Sequence, residues 1–211
     1  YLDELTFGAT DKMEKLILQG NSFSTIDVSG MPLLKELNVN GNDLETLDVT
    51  KNTELETLSA ANNKLTTLDV SKNTKLTSLL VQNNRLTGLD LSNQYDLSLI
   101  YVGGNGWDAC TLNDLYYSLN QWKEVETPYG TGNTLWVTEN GATNENDAAH
   151  AESDIAEGKG WKVNTEGDGT GCDQAYITIA PTENGDVKLY DADNNEVKSG
   201  EKGKKNTTVT A

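Results

Sequence analysis

The chain has 211 residues and a formal net charge of −17, and its 16 basic residues include a single arginine, Arg85. This balance disfavours nucleic-acid binding, which depends on neutralising phosphates and favours the forked guanidinium group of arginine. The sequence contains no apolar run near the roughly 18 residues that a membrane-spanning helix needs, so we expect no insertion into a membrane.

The first half of the sequence repeats itself, with leucines and asparagines returning every 21 residues. The asparagine column contains Asn21, Asn42, Asn63, Asn84 and Asn105, and an apolar column five positions earlier contains Leu16, Leu37, Leu58, Leu79 and Ile100. A strict period in the twenties is typical of a solenoid, in which each repeat forms one coil. One coil buries too little apolar surface to offset its own backbone ordering, so the coils must stack to fold.

The spacing L-x-x-L-x-V-x-x-N-x-L over residues 2 to about 107 resembles the leucine-rich repeat. That resemblance implies an α/β-type repeat solenoid, a right-handed coil with one short parallel strand per repeat. The implied strands lie near 16–18, 37–39, 58–60, 79–81 and 100–102. The asparagine column is predicted to be structural, because a primary amide supplies both donors and an acceptor to backbone groups buried at a tight bend.

A second polar column contains Asp27, Asp48, Asp69 and Asp90, each followed two positions later by serine or threonine. Stacked carboxylates invite a cation such as calcium. Aspartate in this position is also an ordinary turn former, because its carboxylate accepts from backbone amides just ahead. We favour the turn and predict no metal site.

The composition changes after Gly106, beyond which all 4 tryptophans lie. Apolar spacing predicts a helix over 111–122, with Thr111 and Asp114 as a capping pair. The repeat motif returns with Leu135, Val137 and Asn140, and 160–163 is predicted to be a last strand. We interpret residues 1–107 as the repeats and 108–173 as a C-terminal cap with an inserted helix, since the last apolar face of a solenoid needs cover.

The cap resembles those of bacterial surface leucine-rich-repeat proteins of the Bacteroidetes and internalin-like types. The residues alone allow Cys110 and Cys172 to be two buried thiols or one disulfide. The resemblance implies the disulfide, and with it a secreted or cell-surface protein. The chain begins at Tyr1 without a basic-then-apolar leader, which says nothing about destination.

Residues 174–211 alternate between apolar and polar side chains and contain turn signals. Strands are predicted within 176–180, 186–193, 195–200 and 207–211. The segment resembles part of an immunoglobulin-like or B-repeat-like β module. Because it is short for a stable sandwich, we expect either a truncated unit or a segment that packs on the cap.

The sequence contains few candidate catalytic or metal-binding residues. His150 lies in the polar stretch 141–158, whereas a catalytic histidine must be buried and oriented by neighbours. Two cysteines and one histidine are too few for a structural zinc site, and no cofactor is expected. The 33 acidic residues make chance carboxylate pairs easy, so carbohydrate processing is kept only as a distant alternative. We predict that the protein is not an enzyme.

The concave strand face is the predicted binding surface, because Leu80 and Tyr101 share a column there with Leu99 beside them. The predicted partner-binding residues are Ile17, Asn38, Ser59, Leu80, Gln82, Leu99 and Tyr101. The favoured hypothesis is a monomeric module for adhesion or recognition that binds a protein or a glycan at a cell surface. The alternative is a rigid spacer without a ligand of its own.

Overall fold

The computed structural model describes residues 10–122, 133–139 and 144–165 continuously. It also describes Leu2, Leu5, Phe7 and Cys172, and the strand segments 126–127, 130–131, 174–176, 189–190, 196–197 and 202–204.

The described chain is built around a seven-stranded parallel sheet. The five repeats contribute β1 (Lys15–Ile17), β2 (Glu36–Asn38), β3 (Thr57–Ser59), β4 (Ser78–Leu80) and β5 (Leu99–Tyr101). The cap contributes a two-stranded hairpin, β6 (Glu126–Thr127) and β7 (Gly130–Thr131), and then β8 (Thr134–Trp136) and β9 (Lys162–Val163) of the main sheet. The sheet order is β1-β2-β3-β4-β5-β8-β9.

The strand register confirms the predicted solenoid. Leu16 pairs with Leu37, Leu37 with Leu58, and the column continues without slippage to Ile100. Each strand begins one residue before the predicted span, so the apolar column residue lies in the middle of its strand. The middle residue is buried in all five repeat strands, and these side chains join one continuous core that extends into the cap.

The asparagine column forms a hydrogen-bonded ladder between coils. In one rung, Asn63 Nδ2 donates to the carbonyl oxygen atoms of Val39 and Ala60, and Asn63 Oδ1 accepts from the backbone N–H of Leu44. The same rung recurs at Asn42, Asn84 and Asn105. Each amide therefore joins its own coil to the coil before it.

The ladder has a further rung that the sequence motif did not identify. Asn146 Nδ2 donates to Val102 and Val137, and its Oδ1 accepts from Trp107, so Asn146 continues the column. The predicted continuation at Asn140 lies outside the described residues. The motif misled because residues are inserted between the strand and the bend that follows it.

A left-handed backbone position directly precedes each repeat asparagine. It is occupied by Gly20, Gly41, Asn62, Asn83 and Gly104, with φ values of 72°, 64°, 54°, 55° and 70°. Glycine and asparagine are the residues that adopt this conformation at least cost. The bend of every coil is thus encoded locally as well as by the ladder.

A second buried polar column lies on the turns after the valine column. Asn52 and Asn73 are fully buried, and Gln94 follows them at the same spacing. Asn73 Nδ2 donates to the carbonyl groups of Val49 and Asn52, so this column also ties consecutive coils together.

The cap places helix α1 (Ala109–Ser118) against the last coil. The predicted capping pair is wrong, because Asp108 is the N-cap and its carboxylate accepts from the backbone N–H of Thr111 at 2.7 Å. At the other end of α1, Lys159 Nζ donates to three carbonyl oxygen atoms, those of Tyr116, Tyr117 and Leu119. Partial burial lowers the pKa of this lysine.

Shorter elements complete the described cap. A single 3-10 turn spans Ala148–His150, and α2 spans Asp154–Glu157. The Sγ atoms of Cys110 and Cys172 are joined in a disulfide that links α1 to a residue 62 positions later. In the part of the chain that the structure describes, no helix combines the length and apolar character needed to cross a membrane.

Short antiparallel pairs are present beyond the cap. β10 (Gln174–Tyr176) pairs with β13 (Lys202–Lys204), and β11 (Leu189–Tyr190) pairs with β12 (Glu196–Val197). The predicted strand at 207–211 lies outside the described residues. The division at 107 and 173 stays a prediction.

Candidate functional site

The outward side of the main sheet is the surface we call the strand face. It is formed by the first and third residues of each strand and by the second residue after the strand. The strand register aligns Ile17, Asn38, Ser59, Leu80, Tyr101 and Trp136 in one column across six strands.

An aromatic pair stands near the C-terminal end of this column. The ring centroids of Tyr101 and Trp136 are 5.2 Å apart and the ring planes differ by 8°, so the rings are stacked. Trp136 is 37% exposed. Leu80 and Leu99 lie half-buried beside Tyr101, on β4 and β5. This cluster of Leu80, Leu99, Tyr101 and Trp136 is the aromatic patch.

Trp136 was missed by the sequence reasoning, although a signal for it exists. Trp136 follows Leu135 as Tyr101 follows Ile100, and Leu135 pairs with Ile100 in the sheet. Carrying the column one coil further would have placed the two aromatic residues side by side.

The seven predicted contact residues all lie on the strand face, but they differ in exposure. Ser59 is only 1% exposed, so its assignment as a contact residue is corrected. Its side chain is short and lies between the longer Asn38 and Leu80 of the same column. Ile17, which is 50% exposed, and Asn38 lie on the N-terminal side of Ser59, away from the aromatic patch.

The backbone after β8 forms a wall beside the patch. A Cβ atom on Gly103 would lie 2.5 Å from the carbonyl carbon of Thr138, so only glycine permits this close approach. Glu139 is held next to the wall, where its backbone N–H donates to both carboxylate oxygens of Glu145. Burial, and secondarily the charge of Glu139, raises the pKa of Tyr101.

Charge divides the strand face into two regions. At the N-terminal end, Lys15 of β1 pairs with Glu36 of β2 at 2.7 Å. Among the described residues, the outward positions over β3, β4, β5 and β8 carry no side chain that is charged at neutral pH. This uncharged region consists of Thr57, Ser59, Ala61, Ser78, Leu80, Gln82, Leu99, Tyr101, Gly103, Thr134, Trp136 and Thr138.

Two polar atoms of the uncharged region are not used by the protein. Within the described residues, Ser78 Oγ and Gln82 Oε1 are shielded from solvent and have no hydrogen-bond partner. Both residues lie on or next to β4, beside Leu80 of the aromatic patch. Unsatisfied buried polar atoms cost free energy, and natural proteins retain few of them.

The aspartate column forms turns. The carboxylates of Asp27, Asp48, Asp69 and Asp90 each accept from the backbone N–H two residues ahead, at 2.8–2.9 Å. Hydrogen bonds from the residue two positions ahead lower the pKa values of three of these carboxyls. The hydroxyl group has the largest effect for Asp48 (Thr50) and Asp27 (Ser29), and the backbone N–H of Ser71 has the largest effect for Asp69. Among the described residues, no three histidine, cysteine, aspartate or glutamate side chains are grouped as metal ligands.

His150 lies on the surface at the end of the 3-10 turn. Its Nδ1 atom is 2.6 Å from a carboxylate oxygen of Asp147, and the His150 side chain is 51% exposed. The pair stabilises a turn in a solvated setting, unlike the buried and oriented histidine of a catalytic triad.

A groove of about 570 Å³ separates the last coil from α1, with Asp90, Asp114 and Tyr117 in its walls. Ser118 in the same wall accepts from the backbone N–H of Leu91 and donates to the carbonyl of Leu115. This wall therefore has a structural part in joining α1 to the coil.

No protein-family model matches the chain, and no curated protein matches it. Among solved structures, the functional domain of InlJ from Listeria monocytogenes, which includes a cysteine ladder, is similar at 24% identity with a TM-score of 0.27. That similarity covers 50% of this chain and 34% of the other chain. With coils that repeat every 21 residues, one parallel strand in each and an asparagine ladder between them, the chain is a parallel β-solenoid whose repeat resembles the leucine-rich repeat.

Proposed function

We propose that the chain is a non-catalytic binding module of a secreted or cell-surface protein, which captures a macromolecular partner on its strand face. The contact centre is the aromatic patch. The observation that supports this most directly is the stacked Tyr101–Trp136 pair, exposed on the sheet where the other described coils carry smaller side chains.

Stacked aromatic residues suit a contact centre for two physical reasons. Tryptophan and tyrosine provide large contact areas and dominate the energetics of many interfaces. Stacking also holds both rings in place before a partner arrives, so that little side-chain entropy is lost on binding.

The disulfide supports the location. A bond between Cys110 and Cys172 persists in an oxidising compartment and is rare in the cytosol. We therefore place the module outside the cell or at its surface.

The test is a binding screen against extracellular proteins and polysaccharides with wild type, Trp136→Ala and Tyr101→Ala. The matched control is Tyr95→Ala, since Tyr95 is 53% exposed and lies outside the strand face. We expect both patch variants to lose at least tenfold in affinity for the captured partner and the control to keep it. Equal capture by all four proteins would exclude the patch as the contact centre and leave the rigid-spacer alternative.

A further inference from the structure

We infer that the partner is an uncharged polysaccharide chain, which lies over the uncharged region of the strand face and stacks on Trp136. This inference rests on the proposed function and names the chemical class of the partner.

The first reason is the charge pattern. Charged residues make up 23% of the chain and its net charge is −17, yet the outward positions over β4, β5 and β8 that are half-buried or exposed carry no side chain that is charged at neutral pH. Charges flank this surface, with the Lys15–Glu36 pair towards one end of the sheet and Glu139 and Lys162 towards the other. A protein partner of so acidic a chain would gain its encounter rate and its register from opposite charges. A neutral chain gains nothing from long-range attraction between opposite charges, so it binds equally well without them.

The second reason is the geometry of the aromatic pair. In an offset stack, each ring covers one face of the other and leaves its opposite face available. The face of an aromatic ring is electron-rich, whereas the C–H groups on the flat side of a pyranose ring are weakly positive. Trp136 is the more exposed ring and offers the larger platform.

The third reason is a polar group beside the patch. The Gln82 amide has an oxygen atom without a hydrogen-bond partner among the described residues. Sugar hydroxyl groups both donate and accept, so a sugar unit beside the half-buried Gln82 side chain is a suitable donor to this oxygen if the amide turns outward. A few polar groups around an apolar platform are the usual composition of a site that orients a small polar unit.

The dimensions favour a chain over a single sugar. β4, β5 and β8 are consecutive in the sheet, so Gln82 and Trp136 lie two strand spacings apart, about 10 Å. A surface of this length, open on its outer side, accommodates a short run of linked rings.

The experiment is affinity electrophoresis of the full chain in gels that contain soluble polysaccharides. Neutral probes are β-glucan, mannan, arabinogalactan and xyloglucan, and charged probes are heparin and polygalacturonate. We expect retardation by at least one neutral probe, a loss of at least tenfold in affinity for Trp136→Ala, and a smaller loss for Gln82→Ala. Trp136→Phe keeps an aromatic face and should restore most of the binding, while Tyr95→Ala should equal wild type. Raising the salt concentration from 50 to 500 mM should change the affinity less than twofold, because no charge is paired across the contact.

Three results would overturn the inference: no retardation by any neutral probe, retardation only by the charged probes, or binding that Trp136→Ala leaves intact. If wild type instead captured a defined protein and Trp136→Ala lost it, the polysaccharide inference would fail and the proposed function would stand. If the patch variants matched wild type with every probe, protein and polysaccharide alike, both would fail. Circular dichroism and thermal unfolding of each variant separate lost binding from lost folding.

Discussion

Replacing Asn63 by alanine is expected to lower the free energy of unfolding by about 1–3 kcal/mol. The magnitude follows from counting which backbone groups lose their only partner. Val39 keeps a donor from Asn42, Ala60 keeps a donor from Asn84, and the carbonyl of Ala61 keeps the backbone N–H of Gly41. Among the described residues, only the buried N–H of Leu44 is left without an acceptor. One orphaned buried donor sets the size of the effect.

The assay is urea unfolding followed by circular dichroism, with the free energy extrapolated linearly to zero denaturant. Asn93→Ala is the matched control, because Asn93 is an exposed asparagine in a turn. Asn63→Asp sharpens the test, because a carboxylate keeps the acceptor for Leu44 and places negative charge against the carbonyl groups of Val39 and Ala60. Its folded-state pKa should be raised, so this variant should gain stability as the pH falls. An Asn63→Ala protein within about 0.5 kcal/mol of Asn93→Ala would refute the ladder argument.

Two further predictions concern the cap and the aspartate column. Lys159→Met should lower the free energy of unfolding by about 1.5–3 kcal/mol, because three carbonyl groups at the end of α1 lose a charged donor. The control is Lys162→Met on the exposed surface, which should leave the free energy of unfolding unchanged. Urea unfolding measures both variants. The pKa of Asp48 should be below 3.8 and should rise towards that value in Thr50→Ala, as a carbon-13 titration of the side-chain carboxyl would show. The folded-state pKa of this carboxyl is depressed, so its stabilisation is present above the ordinary pKa and is lost as the pH falls through the folded-state value. An unchanged titration curve would contradict the role of the Thr50 hydroxyl.

The solenoid was predictable because few residue types can occupy its repeating positions. A buried bend requires a primary amide, and a stacked coil requires apolar residues at fixed positions. The period therefore predicts that Asn63 lies between Asn42 and Asn84 in the ladder. It also predicts that Leu58 pairs with Leu37 and Leu79, which is the register of the sheet.

Features set by neighbours in space were harder to predict. Ser59 occupies an outward position by period, but its exposure depends on the lengths of Asn38 and Leu80. Asn73 looks like an ordinary turn residue and is buried, because its amide bonds to carbonyl groups of the preceding coil. The position of Trp136 in the column could have been predicted from the sequence. The inserted helix made this difficult because it breaks the 21-residue spacing.

Asn146 follows Asn105 by 41 positions yet occupies the next rung of the ladder. Each coil is thus defined by the asparagine at its bend. The number of residues between two successive ladder asparagines can vary. A solenoid of this design should accept whole inserted elements on its flank during evolution or engineering, provided that each excursion delivers one correctly placed asparagine before the next turn closes.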